Sequence, residues 1–327
     1  MGNFEKDLEM VHFQLTRSCN LRCWFCGQWG KKGFFSNSSG SAMTLEDWKR
    51  TADSLVRNRE MTGASPAIML WGGEPLLSPY FEEIVRYLKE RGFELGMVTN
   101  GTLIDEHIDL CRNAFSKIYV SIDGPAPIHN SIRGEGVFEK VIENLKKLDF
   151  SNVTVMSVLS PALLDCIADF PYALEPVKPA RLYLQEMIGL SDGEINQYAE
   201  WLNAAFGMKA KEIYSWKSSL TDDYYNKKNK ILAEVLKKDY PFPVIHLPHG
   251  SSTHSCYSSQ RHIHIAWNGN VLYCTDFYDF SAGNVKEEDV INIFNNSLSD
   301  KYREEIALGN CPACNHCSWK NNDVFNL

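Results

Sequence analysis

Apolar segments of strand length alternate with segments of helical periodicity up to about residue 188, and this alternation restricts the fold more than any other feature. Strands are predicted at 11–15, 67–71, 95–99, 118–122, 153–159 and 181–186. Helices are predicted at 45–57, with Thr44 as N-cap, and at 81–89, 105–115, 138–148 and 163–170. Repeated strand–helix units form parallel strands through right-handed crossovers, with the chemistry at the carboxyl ends of the strands. We therefore predict an α/β fold, a partial (β/α)6 barrel.

The alternation ends after Gly189, which predicts a second, smaller domain. Helices are expected at 195–206 and 228–238, and two short strands flank Asn268-Gly269, a strong hairpin signal. A further helix at 290–306 leads to a cysteine-rich tail. We predict a core domain over 1–189 and a small α+β domain, containing the hairpin, over 190–327.

Charge and targeting signals restrict the partners. Thirty-three basic and 41 acidic side chains give a net charge of −8, which argues against binding nucleic acid through phosphate contacts. No apolar run reaches the roughly 18 residues of a membrane span, and the N-terminus resembles no signal peptide. We expect a cytoplasmic protein without nucleic-acid or membrane partners. Its ten cysteines therefore indicate metal sites, catalysis or core packing rather than disulfides.

Three cysteines, Cys19, Cys23 and Cys26, follow the first predicted strand within one loop. Three thiolates can hold a cubic four-iron cluster and leave one iron open to a further ligand. The alternative is a zinc site that a distant His or Cys completes.

The loop and the later strand ends together resemble the radical S-adenosylmethionine (AdoMet) enzymes. Cys-x3-Cys-x2-Cys matches the cluster loop of that family, with Phe25 before the last cysteine. Trp71-Gly72-Gly73-Glu74-Pro75 ends the second strand, and Val98-Thr99-Asn100-Gly101 ends the third. Ser121-Ile122-Asp123-Gly124-Pro125, His129 and Arg133-Gly134 follow the fourth strand, and Gln185 ends the sixth.

The resemblance implies a [4Fe–4S] cluster on Cys19, Cys23 and Cys26 that binds AdoMet. It implies that the cofactor is contacted by residues at the strand ends, namely Phe25, Gly72, Gly73, Glu74, Pro75, Asn100, Ser121, Asp123, Arg133 and Gln185. It also implies an external electron donor such as flavodoxin or ferredoxin.

Five further cysteines lie in the C-terminal part. Cys256 and Cys274 flank the hairpin, and the tail holds Cys311, Cys314 and Cys317. The pattern resembles the auxiliary-cluster domains called SPASM and twitch, with a zinc ribbon as the alternative. The tail lacks the full seven-cysteine SPASM pattern, which favours a single auxiliary [4Fe–4S] cluster.

The resemblance implies Cys256, Cys274, Cys311 and Cys314 as ligands of the auxiliary cluster. Cys317 has three open roles: it could replace Cys311, pack beside the site, or act as a catalytic hydrogen donor to a substrate radical.

The remaining cysteines and two histidines carry simpler interpretations. Cys111 and Cys166 each lie on an apolar helix face, so we assign both to the core. His262 and His264 alternate with Ile263 and Ile265, so we place the histidines on the more hydrated face of their strand.

The functional hypothesis is a radical AdoMet enzyme that abstracts a substrate hydrogen, aided by one auxiliary cluster in electron transfer. A small-molecule substrate such as a sugar or aminoglycoside intermediate, undergoing dehydrogenation or epimerisation, is the leading expectation. The alternatives are maturation of a ribosomally made peptide, by thioether formation, crosslinking or epimerisation, and a non-catalytic iron–sulfur or zinc protein.

Overall fold

A computed structural model describes residues 8–29, 40–148, 150–218, 220–249 and 256–317. Its strands form one sheet of the order β10-β9-β8-β1-β2-β3-β4-β5-β6-β7. The bounds are β1 (Met10–Thr16), β2 (Ala67–Gly72), β3 (Leu95–Thr99), β4 (Lys117–Ser121), β5 (Val153–Val158), β6 (Arg181–Gln185), β7 (Val244–Leu247), β8 (His262–Ile265), β9 (Asn270–Leu272) and β10 (Gly283–Asn284). All pairs from β8 through β1 to β7 are parallel, whereas β9 pairs antiparallel with both β8 and β10. The α/β partial barrel with a C-terminal hairpin is confirmed.

Helices cover the outer face of the sheet. They are α1 (Leu45–Thr62), α2 (Phe81–Glu90), α3 (Ile108–Asn113), α4 (Ala126–Arg133), α5 (Val137–Leu145), α6 (Pro161–Leu164), α7 (Phe170–Ala173), α8 (Asp192–Phe206), α9 (Asp222–Val235), α10 (Tyr257–Arg261), α11 (Val290–Asn295) and α12 (Ser297–Ala307). Short 3-10 helices lie at Pro75–Leu77, Ile104–His107, Phe150–Asn152, Ile213–Trp216 and Pro312–His316. In the described parts of the chain, no helix is both long enough and apolar enough to cross a bilayer.

The two faces of β1 show how the strands separate two layers. Val11 and Phe13 are fully buried in the main core with the apolar faces of the helices. Alternate residues point the other way, because successive side chains of a strand face opposite sides. Met10 joins a second cluster inside the barrel, to which β2, β4, β5, β6 and β7 contribute Met69, Tyr119, Met156, Tyr183 and Leu247.

Local sequence signals explain where α1 begins and ends. The Thr44 side chain accepts a hydrogen bond from the backbone N–H of Asp47, whose carboxylate accepts one from the Thr44 N–H. This reciprocal pair satisfies two N–H groups that a helix start leaves unpaired. Gly63 ends the helix in the left-handed region at φ 78°, where a residue without Cβ is favoured.

The structure differs from the sequence-based expectations in three elements. The proline-rich segment before residue 250 contains a seventh parallel strand, β7, beside β6. The helix predicted at 290–306 is two helices, because the Asn296 side chain caps the second of them. The predicted helix at 163–170 is replaced by the separate short helices α6 and α7.

The placement of His262 and His264 on a hydrated face is wrong. They are 5% and 2% exposed. Strand β8 pairs in parallel with β1, so one of its faces packs in the main core and the other faces the barrel interior. The rings of His264 and His12 lie 4.1 Å apart there. The core assignment of Cys111 is confirmed, and Cys166 packs partly buried against the same core.

Candidate active site and auxiliary cysteine site

A cavity of about 260 Å³ lies at the carboxyl ends of the barrel strands. Most of the residues that the sequence singled out for the cluster and the cofactor line it, and they come from the loop after β1, the ends of β2, β3, β4 and β6, and helix α4. These are Cys19, Cys23, Phe25, Cys26, Gly72, Gly73, Asn100, Ser121, Asp123, Arg133 and Gln185. The parallel sheet thus brings together side chains that are up to 166 positions apart in the sequence.

The three thiols of the first loop share one desolvated environment. Burial, together with the neighbouring thiols, raises the pKa of Cys26 to about 11. Burial also raises the pKa of Cys19 and Cys23. A bound metal reverses this preference because it stabilises thiolate ligands directly. The donor set therefore fits a cluster held by three protein thiolates.

The Gly72-Gly73 turn is required by close packing against the cysteine loop. A Cβ on Gly72 would lie 2.3 Å from the Thr16 carbonyl oxygen, and one on Gly73 would lie 2.3 Å from that of Ser18. The Gly73 N–H donates to the Thr16 oxygen over 2.9 Å. Glycine is thus needed where the end of β2 supports the backbone that leads into Cys19.

Glu74 and Pro75 lie behind the cavity wall and are not among its described lining residues. Glu74 is fully buried, and its carboxylate accepts the Thr99 hydroxyl and the Asn100 N–H, each over 2.7 Å. Burial raises the pKa of Glu74 to about 7 despite these bonds. Glu74 therefore fastens β2 to β3 from within the protein.

A buried ion pair brings positive charge to the first cysteines. Arg133 Nε donates to Asp123 Oδ2 over 2.6 Å, and the side chains are 9% and 0% exposed. Burial favours the neutral guanidine, but the Asp123 carboxylate outweighs it and the pKa of Arg133 is raised. Arg133 in turn opposes the burial that raises the pKa of Cys23.

Sequence reasoning missed part of the cavity wall. Trp71, Val98 and Thr99 also line the cavity and belong to the motifs at the ends of β2 and β3, but they had no assigned role. The residues that were missed come from β1, the loop after it, β5, the segments after β6 and the hairpin, and the 3-10 helix Ile213–Trp216: His12, Leu21, Gly27, Gln28, Met156, Val158, Glu186, Met187, Ile188, Trp216, Thr275 and Asp276. Inward alternation could have identified His12 and Met156. The others depend on how distant segments pack.

Glu186 is the centre of an ionic cluster in this missed wall. Its carboxylate lies 2.6 Å from Lys228 Nζ, 3.0 Å from His246 Nε2 and 3.3 Å from His249 Nδ1. Burial favours its neutral form, but the hydrogen bonds from His246 and Lys228 outweigh burial and lower the pKa of Glu186 to about 2. The carboxylate is therefore ionised at the edge of the cavity.

A second cavity, of about 30 Å³, holds the C-terminal cysteines. Cys256, Cys274, Cys314 and Cys317 line it, whereas Cys311 is buried just outside the lining. Burial raises the pKa of Cys256 to about 11, and burial together with Asp276 raises the pKa of Cys317. The Asp276 N–H donates to Cys274 Sγ over 3.4 Å.

The described residues include all ten cysteines, and none of them forms a disulfide. Within the described ranges, no three His, Cys, Asp or Glu side chains converge closely enough to hold a single metal ion. Four thiols around one small cavity nevertheless provide one ligand for each iron of a four-iron cube.

The two cysteine sites adjoin each other. Thr275 lines both cavities. It lies between Cys274, which lines the smaller cavity, and Asp276, which lines the larger one. Cys317 Sγ donates to Asp276 Oδ2 over 3.8 Å. One short segment therefore forms the wall between the two sites.

Comparison with known proteins agrees with this geometry. Residues 13–166 match the model of the radical SAM superfamily, and residues 256–318 match that of SPASM, an iron–sulfur cluster-binding domain. The chain is 27% identical to the AdoMet-dependent heme synthase of Methanosarcina barkeri, over 94% of this chain and 88% of that protein. It is 24% identical to the Fe-coproporphyrin III synthase of the same organism, over 97% and 82%.

Solved structures share the fold. The crystal structure of Streptococcus suis SuiB bound to S-adenosylmethionine superposes with a TM-score of 0.66 at 14% identity, covering 93% of this chain and 72% of SuiB. Another SuiB structure contains the precursor peptide SuiA. The chain belongs to the radical SAM superfamily and carries a SPASM iron–sulfur domain, with AdoMet and [4Fe–4S] clusters as its cofactors.

Proposed function

We propose that this protein is a radical AdoMet oxidoreductase that removes hydrogen from a small-molecule substrate, with one auxiliary cluster aiding electron transfer. The observation that carries the proposal is the shared wall at Thr275, which lines both cavities. A dehydrogenation needs an electron acceptor beside the substrate, and this wall brings the auxiliary cysteines next to the cavity. A sugar or aminoglycoside intermediate remains the leading substrate class.

The roles of the first-site residues follow from their positions. Cys19, Cys23 and Cys26 would hold the cluster, and Asn100, Ser121, Asp123, Arg133 and Gln185 would contact AdoMet. When bound, the cluster and AdoMet supply the electron and the 5′-deoxyadenosyl radical that abstracts hydrogen. The chain holds the two in place and excludes water with apolar wall residues such as Met156 and Ile188.

A small molecule is favoured over a peptide by the relatives that match nearly the whole chain. The relative that aligns with 94% of the chain is named a heme synthase, and the one that aligns with 97% is named an Fe-coproporphyrin III synthase. A tetrapyrrole is therefore the second candidate. Coproporphyrin carries several carboxylates, whereas the described substrate-side wall presents the acidic side chains Glu186 and Asp276. Glu186 is paired with Lys228, and Arg133 is the one Lys or Arg among the described lining residues, so this wall favours a substrate without several negative charges.

The test is cleavage of AdoMet by anaerobically reconstituted, chemically reduced protein. We expect 5′-deoxyadenosine, and its rate should rise with a substrate of the correct class. An intact first cluster that yields no 5′-deoxyadenosine would overturn the enzymatic assignment. Glucosamine and Fe-coproporphyrin III serve as probes of the two small-molecule classes. A product two hydrogens lighter than glucosamine would support the proposal, and stimulation by Fe-coproporphyrin III alone would replace it with the tetrapyrrole reading.

A further inference from the structure

Trp216 lies between the two cysteine sites and contacts a segment from each. It ends the 3-10 helix Ile213–Trp216 and lines the larger cavity. Its ring packs on Gly27, the residue after Cys26: a Cβ built on Gly27 would lie 2.7 Å from Trp216 Cζ2. The indole N–H donates to the Asp276 carbonyl oxygen over 2.6 Å.

Asp276 continues this contact to the auxiliary site. Its backbone N–H donates to Cys274 Sγ and its backbone oxygen accepts from Trp216, so one residue joins the auxiliary thiol to the indole. A continuous set of contacts thus runs from Cys274 through Asp276 and Trp216 to Gly27 and Cys26.

The segment that carries Trp216 is fastened at both ends. The Asp279 carboxylate accepts the backbone N–H groups of Lys211, Glu212 and Ile213, over 2.5, 2.7 and 3.0 Å. At the other end, the Leu190 N–H donates to the Trp216 oxygen over 2.9 Å. The ring therefore has a defined position, and a shift of Asp276 is transmitted to Gly27 rather than absorbed by a loose loop.

We propose that Trp216 is a positioning residue through which occupation of the auxiliary cysteine site orders the cluster loop and strengthens AdoMet binding at the first site. A ligated Cys274 fixes the Asp276 backbone, which fixes the indole over Gly27 and holds the loop that ends in Cys26. This inference rests on the family assignment and not on the substrate proposed above.

The experiment is a double-mutant cycle read out by AdoMet affinity, measured by equilibrium dialysis on the reconstituted full-length protein. We expect Trp216→Ala and Cys274→Ser each to weaken AdoMet binding about tenfold. The double variant should bind no more weakly than either single variant. Additive losses, or wild-type affinity in Trp216→Ala, would overturn the proposal.

Gly27→Ala tests the same contact from the other side. It should weaken AdoMet binding in the wild type, where the new Cβ meets the indole, but cause no further loss in the Trp216→Ala background. An equal loss in both backgrounds would mean that Trp216 does not position this loop. Trp216→Phe keeps an aromatic ring but loses the N–H donor, and an intermediate loss is expected.

The controls separate positioning from general destabilisation. Trp201→Phe removes another half-buried indole whose N–H is bonded, to Glu305 over 2.9 Å, outside the described cavity walls. Trp201→Phe should leave AdoMet affinity unchanged. If it weakened AdoMet binding as much as Trp216→Ala does, a specific role of Trp216 would be contradicted. The AdoMet-induced change in the EPR spectrum of the first cluster should be reduced in Trp216→Ala and intact in Trp201→Phe. If Trp216→Ala cannot be loaded, the Trp216→Phe and Gly27→Ala results decide.

Discussion

The two cysteine sites are assembled in opposite ways. The first takes three thiols from one loop, Cys19 to Cys26, beside a cavity of about 260 Å³. The second takes thiols from both flanks of a hairpin and from the tail, around a cavity of about 30 Å³. Arg133 opposes the rise in the pKa of Cys23, whereas Asp276 adds to the rise in the pKa of Cys317.

The difference indicates a division of labour. A local loop beside a roomy cavity whose wall includes the Arg133 guanidinium can admit an anionic cofactor group at an open iron. A small site built from distant segments is suited to holding a closed cluster whose ligands all come from the protein. It also ties the tail to the rest of the protein.

The largest effect is expected from Cys23→Ala. Two thiols cannot hold the cube, so the first cluster should be lost. The protein should then contain about half the iron of the wild type and cleave no AdoMet. Iron analysis and 5′-deoxyadenosine formation measure the two losses. Unchanged iron would mean that this loop is not the site. The matched variant Cys111→Ala, in the core, should retain both clusters.

Replacing single tail cysteines identifies which of them bind the cluster at the second site. Cys317→Ala should lose about half the iron, because Cys317 lines the smaller cavity, while Cys311→Ala should retain it. This ligand set has Cys317 in place of Cys311, which is one of the three roles left open for Cys317. If Cys317→Ala keeps its iron but loses product, hydrogen donation is supported instead. If only Cys311→Ala loses iron, the original set stands.

Asp123→Asn tests the cation at the first site. It leaves Arg133 buried without its carboxylate, which should cost about 3–5 kcal/mol in the free energy of unfolding and weaken AdoMet binding. The exposed pair Lys227–Asp165 provides the control, with side chains 49% and 68% exposed. Asp165→Asn should cost about 0–1 kcal/mol. If both variants lost the same free energy of unfolding in urea, burial of the Arg133–Asp123 pair would not add to its contribution to stability.

The smallest effect concerns two buried carboxyls, Glu74 and Glu212. Burial, with Asp279 nearby, raises the pKa of Glu212 to about 7. The folded state therefore binds more protons than the unfolded state between about pH 4.5 and 7, and stability falls as pH rises through that window. Glu212→Gln should raise the melting temperature by a few degrees at pH 8 and leave it unchanged near pH 4, below the pKa of the unfolded state.

Glu74→Gln is the contrasting variant. Its carboxylate accepts bonds from donors such as Thr99 and Asn100, so an amide there loses acceptor capacity and should lower the melting temperature at pH 8. Stabilisation by Glu74→Gln, or no pH dependence in the Glu212→Gln comparison, would contradict these assignments.

The features that depend on residues close together in the chain could be predicted from the sequence. The six core strands lie within a residue or two of their predicted bounds, because buried parallel strands are marked by short apolar runs. The motif residues at strand ends converge because parallel strands end at one edge of a sheet. The domain boundaries and the ligand roles remain predictions.

What the sequence could not show depends on contacts between distant segments. Glu186 is bonded by residues from α9 and β7, and no local pattern links positions 186, 228 and 246. Likewise, the position of Trp216 on Gly27 depends on Asp279. The burial of His264 depends on the pairing of β8 with β1, which alternation within one strand does not reveal.

That pairing also determines how the protein can be synthesised. β1 emerges first from the ribosome, but its neighbour β8 follows about 250 residues later, or about 12–50 s at 5–20 residues per second. During this interval β1 is an edge strand with unpaired backbone groups, which invites association with other chains. A chain shortened to residues 1–189 would keep this edge permanently. The first cysteine loop therefore acquires its final support only after nearly the whole chain has been made.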